Sequence, residues 1–340
     1  MTMFRYLVII IAMLLLYGCS TCNKSKKKPN VDNINVQLDV KRFEQDFFTI
    51  SIENPAEALQ QLKTKYPDFT PFYFSEIMGF GNLEKDETAA AISFSVYRND
   101  QYVKQVADTC LQVFKDFSVY EKELTQAFRY FKYYFPNYSI PQIITFTGNF
   151  GWSAVSYDTT ILGIGVDMYL GENYKFYPSV YPKYLYEKFK PEYMVANAMG
   201  VAAGIYFSFQ PKDNTVLAHC IEAGKKLYFL DLVLPDTEDY LKISYTPKDI
   251  EWCKSNESQI WGFFIKYDIL YKTENKELKK YIGPAPNTAG MPIESPGNIG
   301  AWVGWQIVRK YMEKHPEVTF EQLLVKDPQE ILNNSKYKPK

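Results

Sequence analysis

An apolar run of eleven residues, Tyr6 to Leu16, follows a single charged side chain, Arg5, and sets the terms for everything downstream. A helix crossing the hydrocarbon core needs about 20 apolar residues, so this run is too short for a span. Its proportions are those of the hydrophobic stretch of an export signal. The rest of the chain is then expected to fold in water. With 46% hydrophobic and 23% charged residues, it has the composition of a globular protein rather than a disordered one.

The run ends in Leu16-Tyr17-Gly18-Cys19. A small residue before a cysteine, with leucine three places back, resembles the lipobox of bacterial lipoproteins. The resemblance implies that residues 1–18 are removed as a signal peptide and that Cys19 carries the lipid, palmitate among its acyl chains. One acyl chain gives marginal membrane binding, whereas two or more anchor stably. Residues 19–36 are polar and without hydrophobic periodicity, so they read as a tether. About 17 such residues reach on the order of 20 Å. Lys24, Lys26, Lys27 and Lys28 solvate this linker. The alternative is contact with anionic headgroups, with about 1 kcal/mol per charge available near the surface.

Residues 37–340 are enough for one large domain or two ordinary ones. The net charge is -1 with no basic stripe, which excludes a nucleic-acid partner, because phosphate binding needs clustered Lys and Arg. The 28 tyrosines recur inside helical patterns and are expected in the core, with hydroxyls reaching its rim. Cys22, Cys110, Cys220 and Cys253 include no CxxC pair and form no disulfide framework, so buried free thiols are expected. Histidine is the scarcest resource. There are two, His219 and His315, whereas a zinc catalyst needs three protein ligands and a vacant position.

Residues 37–137 read as helical. Asn54-Pro55 starts one helix running to about Tyr66, with proline at its first position. Thr70-Pro71 opens a short one, and a long pattern from Asp86 to Phe117 has a break near Asn99-Asp100. Ser118 and Glu121 have the spacing of a capping box. Residues 138–340 combine a sheet with helices. Gln142–Thr147, Ala154–Tyr157 and Ile161–Leu170 are strand-like, the last two joined by the turn Asp158-Thr159-Thr160. Helices follow at Tyr181–Phe189, Glu192–Phe207, Thr215–Leu234, Thr246–Tyr271 and Asn298–Lys314, with short ones from Thr319 and Asp327. The fold class is α+β, a mostly helical single domain around a small antiparallel sheet.

Three segments are candidates for chemistry. His219 and Glu222 lie three residues apart on one helix face, a spacing that lets both ligate one metal. This makes a zinc-dependent hydrolase one alternative, although HExxH is absent and the two residues are otherwise ordinary polar helix positions. Asp167 follows a buried-looking strand and is expected to satisfy backbone amides there; lining a cleft is the alternative. Gly297, Gly300 and Gly304 leave little bulk at a helix start, so a second backbone is expected to pack close. The glycines at 148, 151, 163 and 165 lack any phosphate-cradling pattern and fit bulges or close backbone approach. A second alternative is a cell-wall glycan binder using exposed aromatics such as Trp302 or Trp305.

Several longer stretches carry a family resemblance: Leu162 to Gly171, Tyr181-Pro182-Lys183-Tyr184-Leu185, Glu222 to Asp231, Ser295 to Val308 and Ser335 to Pro339. Together they resemble the gliding-motility lipoprotein B family over nearly the whole mature chain. The resemblance implies an envelope lipoprotein that supports surface gliding, with motility and secretion proteins of the envelope as partners and a domain facing the periplasm. It implies no catalytic residue and no cofactor. The family is also distantly similar to predicted zinc peptidases, in which an HExxH helix precedes a Glu-Gly helix. Glu222 falls at that later glutamate, whereas Tyr193 to Gly200, where HExxH is expected, has neither histidine nor glutamate. The resemblance therefore implies a degenerate zincin-like scaffold that has lost its metal.

Overall fold

The computed structural model describes residues 28–340. The leader, Cys19, Cys22 and the lysines at 24, 26 and 27 lie outside the described residues. Two units are distinguished, Met1–Asn33 and Ile34–Lys340. Of the first, only residues 28–33 are described, and there the Asn30 carboxamide oxygen accepts from the Asp32 amide at 2.8 Å. All that follows concerns the second.

Its sheet begins in the part read as helical. β1 (Val40–Arg42), β2 (Gln142–Phe146), β3 (Ala154–Tyr157) and β4 (Ile161–Gly165) lie in the order β1-β2-β4-β3. The expected hairpin is present, β3 and β4 pairing antiparallel with Ser156 opposite Leu162. The sheet as a whole is mixed rather than antiparallel, because β2 runs parallel to both β4 and β1. Two physical reasons account for the difference. β3 folds to the outside of β4, which leaves β4 beside β2 in the same direction. β1 is three residues long, two of them charged, so alternation could not reveal it. β2 and β4 are buried along nearly their whole length, as central strands covered on both faces must be. The last expected strand stops at Gly165 and turns into a 3-10 turn, Val166–Tyr169.

The helices follow from their caps. α1 (Phe43–Thr49) continues directly from β1, and α2 (Pro55–Lys65) starts with the Asn54 side chain accepting from the Glu57 amide. α3 (Phe69–Phe72) passes into a π-helical turn, Tyr73–Ile77. The long pattern divides into α4 (Glu87–Asn99) and α5 (Gln101–Val113) at Asp100, which is extended and accepts from the Tyr102 and Val103 amides. α6 (Ser118–Tyr134) begins where expected but without its capping box. The carboxylate of Asp116 accepts from the Ser118 amide at 2.9 Å, the role expected of the Glu121 carboxylate, and the Glu121 amide goes to the Phe117 carbonyl at 3.1 Å.

After the sheet, α7 (Tyr177–Val180) and α8 (Lys183–Tyr186) are single turns. α9 (Met194–Tyr206) and α10 (Val216–Val233) are long and buried, α10 capped by Thr215. A short α11 (Asp239–Lys242) leads to α12 (Pro247–Ser255), which has the full Thr246/Asp249 capping box. The helix expected to reach Tyr271 breaks at Asn256 into α13 (Glu257–Lys266). α14 (Asn275–Tyr281), α15 (Ile299–Lys314), α16 (Phe320–Leu324) and α17 (Pro328–Ser335) complete the chain.

Aromatic side chains fill the core. Phe43, Phe47, Phe69, Tyr73, Phe94 and Phe146 cluster under the sheet, and Phe135, Phe207, Phe229 and Phe320 form a second contact group. Buried tyrosines send their hydroxyls to backbone carbonyls, Tyr73 to Thr147 at 2.8 Å and Tyr245 to Gly297 at 2.8 Å. Cys110, Cys220 and Cys253 are buried free thiols. α10 and α15 meet backbone to backbone at glycine, as the 297–304 spacing suggests. A Cβ added at Gly304 would sit 1.7 Å from the Cys220 carbonyl oxygen, and one at Gly224 would sit 2.4 Å from Gly304.

Candidate functional site

α9 and α10 cross beneath a cavity of about 430 Å³, within the size range of small-molecule sites. Tyr193, Ala196, Asn197, Gly200 and Val201 form its floor, so the segment from Tyr193 to Gly200, devoid of histidine and glutamate, is the one that faces it. Lys226, Leu227 and Leu230 of α10 form one wall, and the α8 region contributes Leu185, Lys188 and Phe189. The rim comprises Lys242 to Tyr245 and the loop residues Pro284, Ala285, Gly297 and Asn298.

A polar chain runs across the floor. The Ser244 hydroxyl donates to the Asn197 carboxamide oxygen at 2.9 Å, and the Asn197 amide donates to the Tyr169 hydroxyl at 3.2 Å. Tyr169 donates onward to the Ser153 carbonyl at 3.2 Å. Ser244 and Asn298 hold left-handed backbone conformations, φ 55° and 60°. Such non-glycine positions cost of order 1–3 kcal/mol and persist only where the surroundings enforce them.

The charges in the cavity wall share one sign. Lys188, Lys226 and Lys242 line it, and no carboxylate does so among the described residues. Lys242 is neutralised by Asp231 at 2.9 Å. Asp231 also accepts from the Trp305 indole at 2.8 Å and from Arg309, which bridges to Asp239 at 2.7 Å and stacks on Trp305. Burial lowers the pKa of Lys226, and no carboxylate among the described residues forms an ion pair with it. Burial likewise lowers that of Lys188, with the carboxylates of Asp249 and Glu187 opposing it from a distance.

His219 and Glu222 share a face of α10 as expected, but neither lines the cavity. The Glu222 carboxylate is held by the Lys225 ammonium at 2.7 Å, and Lys225 donates further to the Leu324 and Lys326 carbonyls. A buried ammonium on the carboxylate repels a divalent cation. Burial lowers the pKa of the His219 imidazole, which faces Asp213 rather than Glu222 electrostatically. Among the described residues no group of three or more His, Cys, Asp or Glu side chains is placed to hold a metal ion. These residues do not fit a zinc site. Trp302 and Trp305 are fully buried core residues, so they present no glycan-binding surface.

Asp167 satisfies amides, as expected. Its Oδ2 accepts from the Gly148 amide at 3.0 Å and the Phe150 amide at 2.7 Å, while Oδ1 is without a partner. The loop that presents these amides has left-handed residues at Asn149 and Phe150. Burial pushes the Asp167 carboxyl up to about 6 against the pull of the two amides.

Sequence reading did not single out Lys188, Lys226, Asn197 or Ser244. One signal was available: Lys225 and Lys226 are adjacent in an otherwise apolar helix, so at least one of them had to be desolvated. The family model described as gliding motility protein GldB matches residues 24–339 of the chain. No curated protein and no solved structure matches it.

Proposed function

The chain belongs to the gliding motility protein GldB family, and from that membership we propose a lipid-anchored envelope protein that serves gliding by binding rather than by catalysis. Family membership gives involvement in gliding motility, and the lipoprotein character is part of the family's designation. The finer reading is that Cys19 carries the lipid and residues 19–36 tether the domain on the periplasmic side of a membrane. The domain then contacts motility and secretion proteins of the envelope. No helix among the described residues is long and apolar enough to cross a membrane, which agrees with attachment through lipid.

The observation that carries the binding role is that no carboxylate lines the cavity among the described residues and that the acidic side chains of the helices beside it are ion-paired. Glu222 is tied to Lys225, and Asp231 and Asp239 are clamped by Arg309. General acid–base catalysis needs a group poised to exchange its proton with a reacting atom, and ion-paired carboxylates outside the cavity wall are poorly placed for that. The rival reading, a zinc hydrolase using His219 and Glu222, has to displace Lys225 first. Degeneration from a zinc peptidase scaffold remains part of this proposal and rests on the sequence resemblance alone, with Glu222 at the later glutamate.

Two measurements on the full-length chain in cells test the reading. Cys19→Ser should move the protein from the membrane to the soluble envelope fraction and abolish gliding; continued membrane retention would overturn the anchor. Metal analysis should find no stoichiometric zinc, whereas bound zinc that is lost in Glu222→Gln would overturn the non-catalytic role.

A further inference from the structure

The cavity over α9 and α10 is more specific than a void between helices. Lys226 packs its stem against α9 at Gly200: a Cβ built on Gly200 would meet the Lys226 Cε at 3.8 Å, ordinary contact distance, so the lysine lies on the floor of the cavity. The two other long cations near by illustrate the alternatives open to a buried lysine. Lys225, next in sequence, has a carboxylate and two carbonyls, and Lys242 has Asp231. Lys226 has none of these, and Lys188 has only distant carboxylates. Partial burial of a charged group without a partner costs free energy, and two such groups face the same cavity.

We propose that this cavity binds an acidic ligand, its anionic head (carboxylate or phosphate) held by the ammonium groups of Lys188 and Lys226 and its apolar body packed on the greasy walls. Met168, Leu185, Phe189, Val201, Leu227 and Ile282 supply those walls. The head gains two charge-assisted contacts in a partly desolvated setting, where they are stronger than in water. The Asn197–Ser244 pair, held by its link to Tyr169, supplies neutral polar atoms on the floor. No carboxylate stands in the described lining to repel such a head directly, although Asp249 and Glu187 act on Lys188 from outside it. This site deepens the binding role proposed above and rests on it. Pocket occupancy is read separately from membrane attachment, so either can fail without the other.

The test is lysine footprinting of the full-length chain in its own membrane. A brief pulse of an amine-acylating reagent is followed by peptide mass spectrometry, with hexanoate, hexyl phosphate or the neutral hexanamide present. At ten times the dissociation constant about one site in eleven stays open, so acylation of Lys188 and Lys226 should fall about tenfold. The exposed references Lys248 and Lys276 should not change. Protection by hexanoate alone identifies a carboxylate ligand, protection by hexyl phosphate alone a phosphate monoester, and protection by both a site for either head; each supports the proposal. Equal protection by hexanamide, or none from either anion, overturns it. In Lys226→Met the anion should no longer protect Lys188 at the same concentration. Unchanged protection there would overturn the shared role, and the wild-type footprint decides the matter if that variant does not fold.

Discussion

Asp167 gives a pH signature that can be isolated from every other titrating group. It is fully buried, its Oδ2 takes two backbone amides, and its Oδ1 has no partner. Desolvation raises its pKa from 3.8 to about 6, so the folded state holds the proton more tightly than the unfolded chain. The stability this contributes is complete below about pH 4 and is lost as pH rises through 6. Two pKa units correspond to about 3 kcal/mol, of which about 2 kcal/mol falls between pH 4 and pH 7. In Asp167→Asn the carboxamide oxygen can accept the same two amides, and the titration disappears. Urea unfolding of both proteins at pH 4, 5, 6 and 7, in a Cys19→Ser background, yields the difference between them, in which all other groups cancel. That difference should move by about 2 kcal/mol in favour of the asparagine variant as pH rises. Curves that stay parallel, or that diverge in the opposite sense, would refute the claim that burial outweighs the two amide bonds.

Arg309→Met should cost about 1–3 kcal/mol in urea unfolding, because Asp231 loses its bidentate partner but keeps Lys242 and the Trp305 indole, while Asp239 is left with Lys254 alone. Gly304→Ala should cost at least the about 1–3 kcal/mol of an overpacked core, since the new Cβ meets backbone rather than a movable side chain. Gly204→Ala, where a Cβ meets nothing within 4 Å, should instead stabilise α9 by about 0.5–1 kcal/mol, and the pair can be compared by thermal unfolding. Lys225→Met should lower stability by about 3 kcal/mol or more by leaving Glu222 buried and unpaired. Lys226→Met should be neutral or stabilising in the same urea assay, because it removes a desolvated charge that no carboxylate offsets.

Where an element's signal is local, it could be read without the structure. Asn54-Pro55, Asp100, Thr215 and Thr246-Pro247-Lys248-Asp249 carry their caps in their own side chains, and each helix starts where those residues place it. The glycine spacing at 300 and 304 likewise announced a close helix contact, because a missing Cβ is a fact of the sequence. Ser118 shows the limit of such rules. Asp116, two residues earlier, takes the Ser118 amide in place of the Glu121 carboxylate, and the Glu121 amide bonds the Phe117 carbonyl. β1 was invisible for a different reason. Val40-Lys41-Arg42 becomes a strand only because β2, about a hundred residues later, offers it an edge, with Val40 opposite Ile143. The mixed direction of the sheet comes from β2 pairing parallel with β4 while β3 pairs antiparallel with it, a choice of neighbour that no periodicity encodes.

The cavity was illegible for a related reason, and the adjacent residues Lys225 and Lys226 show why. From sequence they are equivalent: two lysines in one apolar helix. Successive helical positions point about 100° apart, so one turns toward Glu222 and the carbonyls of Leu324 and Lys326, and the other toward the cavity over Gly200. The partners that neutralise the first come from α10 itself and from the chain a hundred residues on. The gap that receives the second comes from α9. A buried charge with its partner built in is part of the fold. A partly buried charge facing a hollow, with its stem packed on α9, is a cost that the free protein carries, and natural sequences retain such costs where function needs the charge exposed to a ligand. That asymmetry, rather than the scarce histidines, is what turns attention from the His219–Glu222 face of α10 to the cavity on its other side.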